Sequence, residues 1–294
     1  MKFITMKKLS RRRFLQQAGL ASGTSLTTPL ISFASQDQKK EIMRFRLLRH
    51  ATILIEINNR KILVDPMLAK KEAMDPVGNA GNTFRIPMVD LPVNEDELKQ
   101  TLRTVDAVLI THTHRDHWDT AAQQLIDKDA SIFCQPADEE KIRKQGFNNV
   151  TAIKDDLIWN NISIHRTNGQ HGTGDIGKAM GTVSGFVFTH QQQTLYIAGD
   201  TIWCNDVKEA IDKYSPTHIV LNGGGAKFLT GDPITMTTDD VLSVSKNTKA
   251  IITVVHLETI NHCLQKRAAF AEMVEAYQLA KRVHLPNDGD WIAV

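Results

Sequence analysis

Cysteine is scarce in this 294-residue chain: Cys134, Cys204 and Cys263 are an odd number, widely spaced and without a C-x-x-C pair. That excludes a disulfide framework and a thiolate zinc knuckle. The chain also lacks a G-x-S-x-G nucleophile elbow and a paired cysteine and histidine in a recognised catalytic setting, which argues against a covalent enzyme intermediate. It has no low-complexity segment and no visible repeat, and nothing beyond its first 34 residues is long or apolar enough to span a bilayer. No basic arm is present to grip nucleic acid. What remains, with 41% hydrophobic and 23% charged side chains, suits one large catalytic domain or two intimately packed halves.

Residues 1–34 differ from the rest: a basic start, a mild Ala/Gly/Leu/Ser/Thr stretch and no acid. They read as a targeting segment. Ser10 to Gln16, "SRRRFLQ", resembles the twin-arginine export signal, with Arg11 and Arg12 as the pair and Gln16 where lysine is usual. Cleavage after Ala34 fits the small residues Ser32 and Ala34 around Phe33. The resemblance implies the twin-arginine machinery as a partner and a periplasmic or extracellular mature protein, folded and metal-loaded before export. The formal charge of +2 belongs mostly to this segment; without it, 29 basic side chains face 33 acidic ones, a charge of −4.

Residues 35–294 form the expected catalytic domain. "MRFRLL", "ATILIEI" and "KILVDP" are short strand candidates, the last two joined by the turn Asn58 to Arg60, which predicts antiparallel pairing. Residues 67–97, rich in Pro, Gly, Asn and acids, read as a long surface excursion. Strands and helices then alternate, with helices from Thr120, over "DEEKIRKQ", from near Asp206, over "TTDDVLSVSKN" and from about Lys266 to Lys281. The pattern predicts two sheets packed face to face between helical layers.

Four clusters fall at predicted strand ends, where loop residues converge above a rigid scaffold. "THTHRDH" holds His112, His114, Asp116 and His117; "NGQHGTGD" holds His171; "YIAGDT" ends in Asp200; "VVHLETINH" supplies His256, Glu258 and His262. Histidine is 11 of 294 residues, so a chance H-x-H-x-D-H at one position is of order one in a million. In an extended segment residues 112 and 114 point the same way, while the following turn swings 116 and 117 towards a neighbouring position, so this stretch can seed two metal half-sites. His165, His190 and His218 stand alone and read as structural or surface residues.

These residues resemble the metallo-beta-lactamase superfamily, closest to its lactonase-like and phosphodiesterase-like branch that includes the L-ascorbate-6-phosphate lactonases and N-acyl-phosphatidylethanolamine phospholipase D. "LRHATILIEINNRKILVDP", "THTHRDH", "VSGFVF", "YIAGDT", "VVHLETINH" and "LPNDGDW" occur in that branch's order, covering about residues 43–294. The resemblance implies an α/β (α+β) fold, a four-layer αββα sandwich. It implies His112, His114 and His171 at a first metal, Asp116, His117 and His256 at a second, and Asp200 bridging. Asp65 matches a position that steadies the metal loop, and His50 one kept near the site. Two divalent ions are implied, zinc best suited and manganese or iron acceptable.

The expected activity is a metal-dependent hydrolase in which a metal-bridged hydroxide cleaves an ester, lactone or phosphodiester bond of a small-molecule or lipid-like substrate. Asp116 or His262 would pass a proton to the leaving group. The competing class is a non-catalytic or redox metal-binding protein of the same fold, the redox form needing a flavin domain or partner.

Overall fold

Residues 43–294 are described by the computed structural model, and the export segment read over residues 1–34 lies outside them. The first part of the chain supplies β1 (Arg44–Arg49), β2 (Thr52–Ile57), β3 (Arg60–Val64), α1 (Glu95–Thr104), β4 (Ala107–Ile110), α2 (Thr120–Leu125), β5 (Ile132–Cys134), α3 (Glu139–Lys144) and β6 (Val150–Ala152). The second part supplies β7 (Asp156–Trp159), β8 (Ile162–Asn168), α4 (Gly174–Met180), β9 (Ser184–His190), β10 (Gln193–Ile197) and α5 (Asn205–Tyr214). It ends with β11 (His218–Asn222), α6 (Thr238–Asn247), β12 (Ile251–Val255), α7 (Arg267–Ala276), β13 (Val283–His284) and β14 (Trp291–Ala293).

The strands form two seven-stranded sheets, ordered β14-β1-β2-β3-β4-β5-β6 and β13-β12-β11-β10-β9-β8-β7. Each begins as an antiparallel meander and continues as parallel strands, so the expected antiparallel start holds for β1, β2 and β3. The hairpins β2–β3 and β7–β8 turn through Asn58–Asn59 and Asn160–Asn161, all four at positive φ. Asparagine tolerates that left-handed backbone, and a two-residue turn of this hand matches the twist of the strands it joins.

Period-two alternation sorts the apolar side chains into layers. Ile62 and Val64 of β3, Leu109 of β4, Phe186 and Phe188 of β9 and Ile197 of β10 meet between the sheets. Their neighbours point outward: Leu63, Val108 and Ile110 pack with Leu98 of α1, Ala122 of α2 and Ile142 of α3. On the far side Val187, Tyr196, Ile219 and Val254 pack with Val207 of α5, Val241 of α6 and Phe270 of α7. The result is the expected four layers, helices outside and sheets within.

Three elements differ from the sequence reading. Helix α1 begins inside the segment read as irregular; its signal was a capping box, Asn94 accepting from the Glu97 main-chain N–H while the Glu97 carboxylate accepts from that of Asn94. Helix α4 was hidden by the glycines of "HGTGDIGKAM". Helix α7 stops at Ala276, five residues before Lys281, because the chain turns through Gln278 at φ 56°.

Two stability predictions follow from this packing. Phe186→Ala empties a fully buried site between the sheets and should cost about 3–5 kcal/mol, read as a lower denaturation midpoint at unchanged slope. His218 is 1% exposed, lies edge-on to Phe45 and is 2.8 Å from the Thr253 hydroxyl. Burial, helped by His284, pushes its imidazole down to about 4. The unfolded chain therefore takes up a proton below about pH 6.5 that the fold refuses. Stability should fall as pH drops from about 6.5 to 4, by about 3 kcal/mol for this residue, and His218→Gln should flatten the slope in that window. An unchanged slope would contradict the assignment.

Candidate metal centre

Strand exits build the centre. His50 follows β1, Asp65 follows β3, Thr111 and His112 follow β4, Asn222 ends β11 and His256 follows β12. His171 and Asp200 stand three residues beyond the ends of β8 and β10. Both sheets therefore present the same kind of edge to one place, and their ladders fix where the side chains begin. His50, Asp65 and His256 hold φ of 61°, 45° and 66°, a left-handed backbone that costs non-glycine residues about 1–2 kcal/mol each. At Asp65 the bend is held by the Thr52 hydroxyl, which donates to the Asp65 carbonyl at 2.8 Å and accepts from the Met67 N–H at 3.0 Å.

His112, His114 and His171 bring one nitrogen each to a common point. His112 Nε2 lies 2.9 Å from His114 Nδ1, and His171 Nε2 is 3.6 Å from Asp200 Oδ2. The outer nitrogens fix the tautomers. His171 Nδ1–H donates to the Ile234 carbonyl at 2.7 Å, which leaves Nε2 bare. Thr111 spends its hydroxyl proton on Asp65 Oδ2 at 2.7 Å, so its oxygen accepts from His112 Nδ1–H at 3.2 Å and His112 Nε2 is bare too.

Asp116, His117 and His256 gather beside them, with His50 in the same group. His117 Nε2 is 3.6 Å from Asp116 Oδ2 and 3.2 Å from Asp200 Oδ2, and His256 Nε2 is 3.5 Å from Asp116 Oδ2 and from Asp200 Oδ1. A cation held at 2.0–2.1 Å by four donors has about 3.4 Å between neighbouring donors. His117 Nδ1–H donates to Asp65 Oδ2 at 2.8 Å, and His256 Nδ1 lies 3.6 Å from Cys263 Sγ. Both inner Nε2 atoms are buried without a hydrogen-bond partner. Asp200 touches both half-sites, and Asn222 Nδ2 donates to its Oδ1 at 2.7 Å.

The electrostatics favour a cation. Burial would raise Asp200 and Asp116, yet His117 and its neighbours hold both carboxyls well below their usual range. Burial would lower His117, yet Asp200, Asp116 and Asp65 hold its imidazole well above the usual value. His256, pulled down by burial, is raised to about 10 by Asp200, Cys263 and Asp116. His112 and His171 go the other way, burial lowering both. The group of Asp116, His117, His256 and Asp200 thus draws positive charge in, and the Nε2 atoms of His117 and His256 stand in it without a hydrogen-bond partner. Imidazole nitrogens with carboxylate oxygens fit zinc, manganese or iron.

Other residues from the sequence reading fall outside this ligand group. Glu258 turns to Arg267, 2.5 Å from its guanidinium, and accepts from the Arg267 main-chain N–H at the start of α7. His262 is 6% exposed, stacks on Phe228 at 5.3 Å and keeps a buried, unpartnered Nδ1; burial pushes its imidazole down to about 4. His218 lies within the sheet packing, while His165 stacks on Tyr214 and His190 faces the Asn161 carbonyl. The 67–97 segment is fastened at several places, two buried side chains among them. Buried Arg49 donates to the carbonyls of Met67, Ala69 and Val89, and buried Asn261 bonds Val77 and Asn82. Met67 and Ile86 of this segment join Ile234, Ile260 and Cys263 in an apolar cluster that adjoins the centre through Ile234 and Cys263. Thr111, Asn222 and Cys263 were not singled out as supports from sequence; Asn222, a polar residue ending an apolar strand, carried the same signal as Asp200.

Residues 44–254 match the Beta-lactamase superfamily domain. The UPF0173 protein YddR of Bacillus subtilis (strain 168) is 34% identical over 84% of this chain and 98% of its own length. Among solved structures, an isothiocyanate hydrolase from Delia radicum gut bacteria is similar at 38% identity and a TM-score of 0.81, covering 86% of this chain and 99% of that one. A possible metal-dependent hydrolase from Veillonella parvula DSM 2008 is similar at 34% identity and a TM-score of 0.82, covering 86% and 100%. Sequence, fold and the histidine–aspartate cluster agree: the chain belongs to the metallo-beta-lactamase superfamily, within its UPF0173 family of metal-dependent hydrolases.

Proposed function

We propose that the protein is a two-metal hydrolase acting on a small neutral electrophile with an apolar substituent, an isothiocyanate being the leading substrate class. The observation that carries the two-metal reading is the pair of adjoining donor groups joined by Asp200, with the unpartnered Nε2 atoms of His117 and His256 beside them. The substrate class draws on the similarity to the isothiocyanate hydrolase and on the partly buried apolar ring of Phe228, stacked on His262. Esters and lactones offer a comparable electrophilic carbon, and an anionic phosphodiester is the least like the neutral isothiocyanate.

Bound divalent cations supply a water acidified towards neutrality and a place for developing negative charge. The chain supplies position and proton movement. His112, His114 and His171 hold one side of the centre, Asp116, His117 and His256 the other, and Asn222 keeps Asp200 between them. Net addition of water across the carbon–nitrogen double bond of R–N=C=S puts oxygen on carbon and hydrogen on nitrogen. The thiocarbamic acid so formed loses carbonyl sulfide and leaves the amine. Asp116, whose side chain is 13% exposed, receives the water's proton and returns it to nitrogen. His262, stacked on Phe228, positions the substrate and is the second candidate for that transfer.

Chelation should abolish hydrolysis and zinc or manganese should restore it, while Asp200→Ala should lower kcat/KM at least about 100-fold, as loss of a metal-site group does. In a panel of phenethyl isothiocyanate, an aryl ester, a lactone and a phosphodiester, amine release from the isothiocyanate should be fastest. Preference for the phosphodiester would overturn the substrate class, and full activity in metal-free protein would overturn the metal-dependent reading itself.

We also propose that residues 1–34 direct twin-arginine export and are removed, placing the enzyme in the periplasm or outside the cell. The support is "SRRRFLQ" ahead of a weakly apolar stretch ending in "SFA". Among the described residues no helix is long and apolar enough to cross a membrane. Replacing Arg11 and Arg12 together by lysine should leave the precursor in the cytoplasm, and normal export of that variant would refute the assignment.

A further inference from the structure

His50 belongs to the first sheet and His256 to the second, yet the two residues are joined across the seam. The His50 carbonyl accepts from the His256 main-chain N–H at 3.0 Å. Their rings lie with centroids 3.6 Å apart and planes inclined by 34°. His50 Nε2 is 3.1 Å from Asp116 Oδ2. One residue thus contacts both a carboxylate and an imidazole of the second half-site, once through its main chain and twice through its ring. It does so from a left-handed backbone at φ 61° while 1% exposed, a conformation that persists where surrounding contacts over-determine it.

We propose that His50 is the positioning residue of the second half-site: its Nε2–H donates to Asp116 Oδ2 and its carbonyl holds His256, so that both face one cation, and His50 takes no coordination position itself. The inference rests on the two-metal reading. Ligation by His50 is the competing role, because its nitrogen lies within 4.8 Å of the donor atoms of Asp116, His117 and His256. Two observations favour donation. The half-site already has four donors in Asp116, His117, His256 and Asp200, with spacings of 3.2–3.6 Å. The His50–Asp116 separation of 3.1 Å is that of a hydrogen bond, and the His50 ring lies against that of His256. A hydrogen bond to a ligating carboxylate sets which oxygen it offers and how it is turned.

Two substitutions separate the roles. His50→Asn keeps a side chain that tolerates the left-handed backbone but is too short to reach Asp116. His50→Gln restores the reach and an N–H donor without an imidazole. Cobalt(II) titration of the purified full-length chain, followed by visible absorption, with chelator competition for zinc, reads the two sites separately from any substrate. The wild type should take up two ions. In His50→Asn one site should be unchanged and the other should lose about 10–100-fold in affinity, the usual effect of removing a partner of a metal ligand. His50→Gln should recover most of that loss, with the same number of imidazoles around cobalt by X-ray absorption. Wild-type affinity at both sites in His50→Asn would overturn the proposal. So would a His50→Gln as weak as His50→Asn with one imidazole fewer at the metal, which would make His50 a ligand. A wild type holding a single ion would overturn the two-metal reading, and this inference with it; failure on the isothiocyanate panel would leave both standing.

Discussion

Asp200 ends an apolar strand with a carboxylate that is 3% exposed, and the rest of the centre is arranged around that buried charge. An unpaired carboxylate in such a place costs several kcal/mol, so it is found only with partners. Here the partners are Asn222 on one side and the nitrogens of His117, His171 and His256 on the other, all within 3.6 Å. Asp116 and Asp65 add two more carboxylates within reach of the same imidazoles. A cluster this rich in acids draws positive charge in, as protons on His117 and His256 or as cations among the donors.

The αββα packing sets the donors in place. Parallel strands end together along one edge of each sheet, and facing the two sheets brings those edges side by side. The first sheet contributes His50, Asp65 and the Thr111–His117 segment; the second contributes His171, Asp200, Asn222 and His256. Contacts across the seam, such as the His256 N–H on the His50 carbonyl, couple the metal centre to the packing of Phe186 and Val64 beneath it. Loss of sheet packing would be felt at the metals, and metal binding should in turn stabilise the fold.

Much of this was legible in the sequence because it is local or periodic. The H-x-H-x-D-H segment places His112 and His114 in one donor group and Asp116 and His117 in another, and alternation in "KILVDP" and "VSGFVF" sorts the layers. Asp200 and His256 gained their meaning from resemblance, since a "GD" pair or a lone histidine after a strand is common. What stayed hidden depends on distant residues. The left-handed backbone of His50, the hold of Asn222 on Asp200, the thiol of Cys263 beside His256 and the clamping of the 67–97 segment by Arg49 and Asn261 all join parts of the chain that only the fold brings together. Glu258 shows the converse: its position near His256 in sequence suited a ligand, and the fold gives it to Arg267.

The central claim is that the paired histidine–aspartate groups hold two cations joined by Asp200. Anomalous diffraction at the zinc edge from crystals of the zinc-loaded protein tests it most directly. Two peaks about 3.5–4 Å apart are predicted, one against His112, His114 and His171 and the other against Asp116, His117 and His256, with Asp200 touching both. A single peak, or zinc bound away from these residues, would contradict it.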